Sequence, residues 1–216
     1  VDLEMAFRFS DNIYFSWATL NLGQEKFLEY MNRIGLKEAV PFDLPTAQAN
    51  LINEGTEINR KLISDMAFGH GEILVTPVQA AAMYTVFQNG GDMLAPKLVE
   101  SIRKYSDGLH YETLYAAERE VYIEGIMTQE TVDTLIPCLR AVVRSGTAQS
   151  IQIKDLPLAA KTGTALRGVE QSEKVSWLAA WWQGAQQGNR LVVTMIDSPR
   201  GQDDYKHAIT KELLRP

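Results

Sequence analysis

Two short segments of the 216-residue chain concentrate side chains suited to acyl transfer: Ser10-Asp11-Asn12, and Lys161-Thr162-Gly163-Thr164. Acyl transfer through a serine needs a hydroxyl activated by a neighbouring amine and a proton path to the leaving group. It also needs donors for the developing oxyanion and, where the acyl donor ends in a carboxylate, a cationic seat for it. The two segments carry residue types for the last three. Gly163 has no Cβ, so an extended substrate could lie against a strand there as an added strand would. Each segment also has a plain structural reading. Ser, Asp and Asn all cap helix N-termini, and Lys-Thr-Gly-Thr is equally a strand with a bulge glycine. A given tripeptide recurs by accident in roughly 3% of chains this long and a given tetrapeptide in about 0.1%. The two in this order therefore carry weight that neither has alone.

Composition narrows the setting for such chemistry. An apolar content of 45% with 22% charged residues is that of a globular chain, and the length suits one large domain or two small ones. The net charge of −6 comes without a dense basic stripe, which removes the usual driving force for phosphate-backbone binding, so no nucleic acid partner is expected. Cys138 stands alone, and His70, His110 and His207 are scattered, so neither an internal disulfide nor a zinc-type ligand set is expected. Val175–Trp182 and Leu191–Ile196, the most apolar runs, are far shorter than the roughly 18 residues of a membrane-spanning helix. The chain enters at Val1 directly into helix-like sequence, which reads as part of something longer.

The elements that must position the two segments can be read from periodicity and punctuation. Asp2–Phe9, Ile13–Leu20 and Gln24–Ile34 read as helices, the third stopped by Gly35, and Pro41–Gly55 as irregular. Thr76 as cap, Pro77 at the first helical position and Gly90 as left-handed exit define a helix over Thr76–Asn89, with Val78, Ala81, Ala82 and Tyr84–Val86 facing the core. Leu98–Tyr105 and Leu109–Leu114 flank Ser106-Asp107-Gly108 and predict a hairpin. Thr128–Val143 has helical spacing, bent at Pro137 and ending near Gly146. Leu156–Thr164, Val175–Gln183 and Arg190–Asp197 predict an antiparallel meander, and Asp203–Leu214 a closing helix. The sum is α+β, an antiparallel sheet packed with helices.

Ser-Asp-Asn and Lys-Thr-Gly, together with a Ser-x-x-Lys nucleophile, form the signature of penicillin-binding proteins and serine β-lactamases. The chain resembles the C-terminal portion of a penicillin-binding protein transpeptidase domain. Further matches are the run from Leu3 through Phe15, Gly71–Pro77 before the core helix, and Gly146-Thr147-Ala148 ahead of Ala160–Ala165. Residues 1–216 would then form a single domain, incomplete at its N-terminal side. The resemblance implies a serine-type D-Ala-D-Ala transpeptidase that cross-links peptidoglycan stem peptides and is acylated by β-lactams. It implies no cofactor and no metal, and a place at the extracytoplasmic face of the bacterial membrane. It also implies roles. Ser10 would relay a proton, Asn12 would hydrogen-bond the substrate amide, and Asp11 would shape the turn. Lys161 would hold positive potential near Ser10 and the substrate carboxylate, and the Thr162 and Thr164 hydroxyls would bind that carboxylate. Gly163 would let the substrate approach, and the Thr164 N–H would be one oxyanion donor.

The family's Ser-x-x-Lys precedes the Ser-Asp-Asn segment, and no copy lies before Ser10. Ser101-Ile102-Arg103-Lys104 falls after it, in a predicted strand, whereas the pair needs a helical turn to bring the amine beside the hydroxyl. The expectation is that these residues lack the nucleophile and are inactive alone. A second expectation follows: apolar surface such as the Trp-bearing strand lies partly open, or is covered by a second chain that supplies the absent part. A β-lactam sensor domain, a serine β-lactamase fragment and a non-catalytic scaffold are the alternatives. Trp177, Trp181 and Trp182 read as core, His70 as a loop residue rather than a base, Glu118-Arg119-Glu120 as a solvated face, and Cys138 as a buried, unreactive thiol.

Overall fold

Side-chain caps set where most of the helices begin. Asp2 accepts from the Met5 amide to start α1 (Leu3–Phe9), and Asp11 from Tyr14 to start α2 (Asn12–Leu22). Asn59 starts α4 (Arg60–Met66), Thr76 α5 (Pro77–Tyr84) and Thr128 α6 (Gln129–Ser145) in the same way. Each cap satisfies an amide that the first helical turn leaves without a partner. Two helices lack one: α3 (Gln24–Arg33) follows Gly23, and α7 (Lys206–Leu213) follows Tyr205. These elements are those of a computed structural model that describes residues 1–107, 110–167, 169–184, 188–203 and 205–216. Among the described residues no helix is long and apolar enough to cross a membrane.

Strands β5 (Ala159–Arg167), β6 (Glu173–Gly184) and β7 (Gly188–Pro199) pair antiparallel in that order, so β5, with Lys161 to Thr164, lies at the sheet edge. Successive residues of a strand face opposite sides. Trp182, with Ala160, Leu178 and Ala180, therefore packs against Leu214 beyond α7 and Val142 of α6. Trp181, with Ala159, packs against Leu139, Tyr84 and Phe87. The Phe87 and Trp181 rings stack at 5.1 Å. A separate apolar cluster joins Phe27, Leu36, Leu51, Ile63 and Met66 around α3 and α4.

This arrangement corrects one expectation. The Trp-bearing strand is not open: Trp181 and Trp182 are each 2% exposed, because helices of this same chain cover both sheet faces. The apolar exposure lies instead on α1 and α2, at Phe9 (54%), Ile13 (82%) and Trp17 (63%). No residue of α2 is buried, although the helix is strongly apolar.

Other elements differ locally from the sequence reading. The Thr76–Asn89 helix tightens after Tyr84 into a 3₁₀ turn over Thr85–Gln88. There Thr85 Oγ1 donates to the Ala82 carbonyl and accepts from the Leu94 amide, tying the helix end to β1 (Met93–Leu94). Strand β1 pairs with β4 (Val121–Ile123), a ribbon too short for periodicity to announce. Strands β2 (Ser101–Asp107) and β3 (His110–Ala116) form the hairpin, while Gly108 and Leu109 of its turn lie outside the described residues. Cys138 is buried, and burial pushes its thiol up, so it stays protonated.

Candidate active site

Ser10 stands at the corner between α1 and α2, with φ 54° and ψ 54°. This left-handed conformation costs a serine about 1 kcal/mol relative to glycine. It is held by the Ser10 amide on the Phe7 carbonyl (3.3 Å) and the Asp11 amide on the Ala6 carbonyl (2.9 Å). Asp11 then caps α2 through Tyr14 at 3.0 Å. The capping and the chemistry suggested for Ser10-Asp11-Asn12 thus fall on different members: Asp11 builds the corner, and Ser10 within it is turned toward β5.

That corner is pinned to the end of α6. Arg8 Nε donates to the Ser145 carbonyl at 3.0 Å, and the Thr147 amide donates to the Arg8 carbonyl at 3.2 Å. Gly146 permits the approach, since a Cβ there would sit 2.4 Å from the Arg8 oxygen. Beyond it, Thr147 Oγ1 meets Thr162 Oγ1 at 2.8 Å. One end of α6 therefore holds both the Ser10 corner and the β5 edge.

Across this junction the Lys161 ammonium donates to Ser10 Oγ at 2.6 Å and to the Thr162 carbonyl at 2.8 Å. Burial, with the nearby Lys206 charge second, pulls the Lys161 ammonium down to about 8. Lys161 is charged at neutral pH yet able to lose a proton slightly above it.

His70 reaches the same edge. Its Nε2 lies 3.1 Å from the Thr164 carbonyl oxygen, which can only accept, so this nitrogen carries the hydrogen. The contact turns the Thr164 carbonyl away from β6. In an antiparallel strand a residue's N–H and C=O point to the same side, so the Thr164 N–H also faces outward. The His70 ring packs on Phe68 at 5.0 Å, and Phe68 lines a shallow apolar depression shared with Asn12, Ile13 and Trp17. Asn12, exposed at the start of α2, thus shares that depression with Phe68, whose ring neighbour His70 touches the Thr164 carbonyl.

Ser10, Lys161, Thr162 and Thr164 are brought together, with Asn12 two residues beyond Ser10 at the start of α2. Thr164 Oγ1 donates to the Gly163 carbonyl at 2.8 Å. A Cβ on Gly163 would lie 3.3 Å from Trp177 Cβ, a tight neighbour on β6. Three contributors had no assigned role in the sequence reading. Thr147 sits in a segment that carries the resemblance, whereas His70 reads as an ordinary loop residue between two glycines. Lys206 donates to the Gly163 carbonyl (3.2 Å) and to Thr164 Oγ1 (3.4 Å) from a separate helix, which no local pattern announces. Among the described residues no group of three or more His, Cys, Asp or Glu side chains could hold a metal ion.

A family model described as the penicillin binding protein transpeptidase domain matches residues 1–216. Penicillin-binding protein 3 of Bacillus subtilis (strain 168) is 27% identical over 98% of this chain and 30% of its own length. The peptidoglycan D,D-transpeptidase FtsI homolog of Mesostigma viride is 23% identical over 76% of this chain and 27% of its own. The chain thus spans less than a third of the length of these curated relatives. A solved D,D-transpeptidase domain of a peptidoglycan glycosyltransferase from Eggerthella lenta superposes with a TM-score of 0.77 at 19% identity. That match covers 99% of this chain and 53% of the solved one, a likeness of fold.

Proposed function

Because this chain belongs to the penicillin-binding protein transpeptidase family, we propose that it is the part of a peptidoglycan D,D-transpeptidase that handles protons and grips the acyl donor. The observation that carries the reading is the 2.6 Å contact between Lys161 and Ser10 across 151 positions of sequence. It joins the two segments into one proton-handling pair beside an open strand edge.

In this reading the nucleophilic serine, with its partner lysine, comes from outside residues 1–216, because the one Ser-x-x-Lys present, Ser101 to Lys104, lies on a strand. The serine oxygen attacks the penultimate D-alanyl carbonyl of a stem peptide, its proton passing to the partner lysine. The outward Thr164 N–H and a second donor hold the oxyanion. On collapse the C–N bond breaks, and the departing amine takes a proton through Ser10, whose hydroxyl Lys161 orients. Thr162 and Thr164 bind the terminal carboxylate, Gly163 leaves room for the donor backbone, and Asn12 meets its amide. A β-lactam follows the same course with its ring amide as the bond that opens. The exposed Phe9, Ile13 and Trp17 then receive a cover from the segment that carries the serine, and the work is done outside the cytoplasmic membrane.

Incubation with a fluorescent penicillin tests this. The full-length protein becomes covalently labelled and residues 1–216 alone do not. An unlabelled full-length protein overturns the transpeptidase reading; labelling of any serine in the isolated chain overturns the claim that the nucleophile lies elsewhere.

A further inference from the structure

Lysine is rarely buried without a purpose for its charge, since removing an ammonium from water is costly unless fixed partners replace the solvent. Lys206 is 8% exposed. It opens α7 immediately after Tyr205, whose φ of 51° bends the chain so that the lysine turns inward. The helix behind it is fixed at its middle and at its C-terminal end. Thr210 and Thr194 share a buried hydrogen bond of 2.7 Å, and the Leu214 carbonyl accepts from Trp182 Nε1 at 3.0 Å. Lys206 is therefore held on a rigid element against the β5 edge.

Its partners there explain what it does. The Gly163 carbonyl receives two side-chain donors, the Thr164 hydroxyl at 2.8 Å and the Lys206 ammonium at 3.2 Å. The ammonium also lies 3.4 Å from Thr164 Oγ1 itself. When an anion enters, the Thr164 hydroxyl can turn its hydrogen onto the anion. The Lys206 ammonium, which lies 3.4 Å from the same oxygen and can only donate, then holds that hydroxyl with its hydrogen directed outward.

We propose that Lys206 is a positioning residue of the carboxylate seat, orienting the Thr164 hydroxyl toward the terminal carboxylate of the acyl donor and adding a second positive charge beneath it. The inference rests on the transpeptidase reading and extends it to a residue outside the recognised segments. After burial, the Lys206 charge is the second cause that lowers Lys161, so the two ammonium groups feel each other across the strand and a carboxylate placed there is attracted by both.

The test compares acylation of the full-length protein by benzylpenicillin and by its methyl ester, which lacks only the carboxylate charge. Lys206→Met lowers the acylation constant for the free acid about ten- to a hundredfold, the worth of a hydrogen bond involving a charged group. The ester changes by less than about threefold, the scale of a local substitution without a specific partner. Lys206→Arg, which keeps the charge, recovers most of the preference for the acid. Acid and ester slowed equally, or neither slowed, overturns the inference and leaves the transpeptidase reading standing. Wild-type protein acylated by neither compound overturns the reading and this inference with it. If Lys206→Met does not yield folded protein by urea denaturation, Lys206→Gln replaces it, with the same two outcomes deciding.

Discussion

The Lys161 ammonium lies 2.6 Å from the Ser10 hydroxyl, with a proton affinity lowered from 10.5 to about 8. Burial is the larger cause and Lys206 the smaller. Unfolding returns the ammonium to water and to 10.5, so between about pH 8 and 10.5 the unfolded chain holds the extra proton. Stability therefore climbs with pH across that window, and below pH 8 the whole cost of the buried charge is present. The cost is of order 3 kcal/mol. Urea denaturation of the wild type and Lys161→Met at pH 8 and pH 10 should show the difference between them shifting in favour of the wild type at the higher pH. A difference independent of pH would mean that Lys161 titrates as an ordinary lysine.

The same titration predicts an alkaline limb in acylation. As Lys161 loses its proton it loses its charge beside the carboxylate seat and gains a lone pair that competes for the Ser10 hydrogen. The full-length protein should therefore lose acylation by benzylpenicillin with a midpoint near pH 8, the value of the buried amine. Activity sustained to pH 10 would disconnect the amine from the reaction.

Gly146 is the point at which the site depends on close packing far from any reacting atom. Its φ of −120° is open to any residue, so a side chain would be opposed by contact alone. A Cβ would stand 2.4 Å from the Arg8 carbonyl and 2.9 Å from Val142. Gly146→Ala should cost about 1–3 kcal/mol, as overpacking does. Because Arg8 lies two residues before Ser10, the substitution should also slow penicillin acylation of the full-length protein at temperatures where it remains folded. Unchanged stability and rate would show that α1 does not depend on the end of α6.

What could be read from the sequence was whatever depends on neighbours in the chain. Thr76, Pro77 and Gly90 announce α5 and its exit, and the alternation in Val175–Gln183 announces β6, because capping and pleating are local. The helix α4 was missed although Asn59 caps it, since Arg60–Met66 spans too few residues for a full apolar stripe. Which part of Ser10-Asp11-Asn12 caps a helix could not be separated from which part faces the cleft, because that depends on a left-handed serine. Lys206 and His70 reach the β5 edge from 43 and 94 positions away, and no spacing rule registers such an approach. The covering of Trp182 by Leu214 is of the same kind, a relation set by the return of α7 over the sheet.

Trp182 and Trp17 make a matched test of that covering. Trp182 is 2% exposed and its indole donates to the Leu214 carbonyl at 3.0 Å. Trp182→Phe removes both ring volume and donor, and should cost about 2–4 kcal/mol from the cavity and the lost hydrogen bond. Trp17, 63% exposed, should change stability by less than about 0.5 kcal/mol on replacement by Phe in the isolated chain. Equal losses in urea denaturation would mean that the apolar face of α2 is covered in solution.

Ser101 and Lys104 provide the control for the nucleophile. In a helix, residues three apart lie on one face, but β2 is a strand, where an odd separation puts them on opposite faces. The irregularity in its pairing between Ile102 and Arg103 places the extra residue, Leu114, on β3 and leaves the alternation of β2 intact. Among the described residues the strand stands on an exposed ribbon paired only with β3, apart from the three-stranded sheet that carries Lys161. Ser101→Ala in the full-length protein should therefore leave the rate and extent of fluorescent penicillin labelling unchanged. Loss of labelling would place the acylated serine on this ribbon, and a base other than Lys104 would then have to activate it.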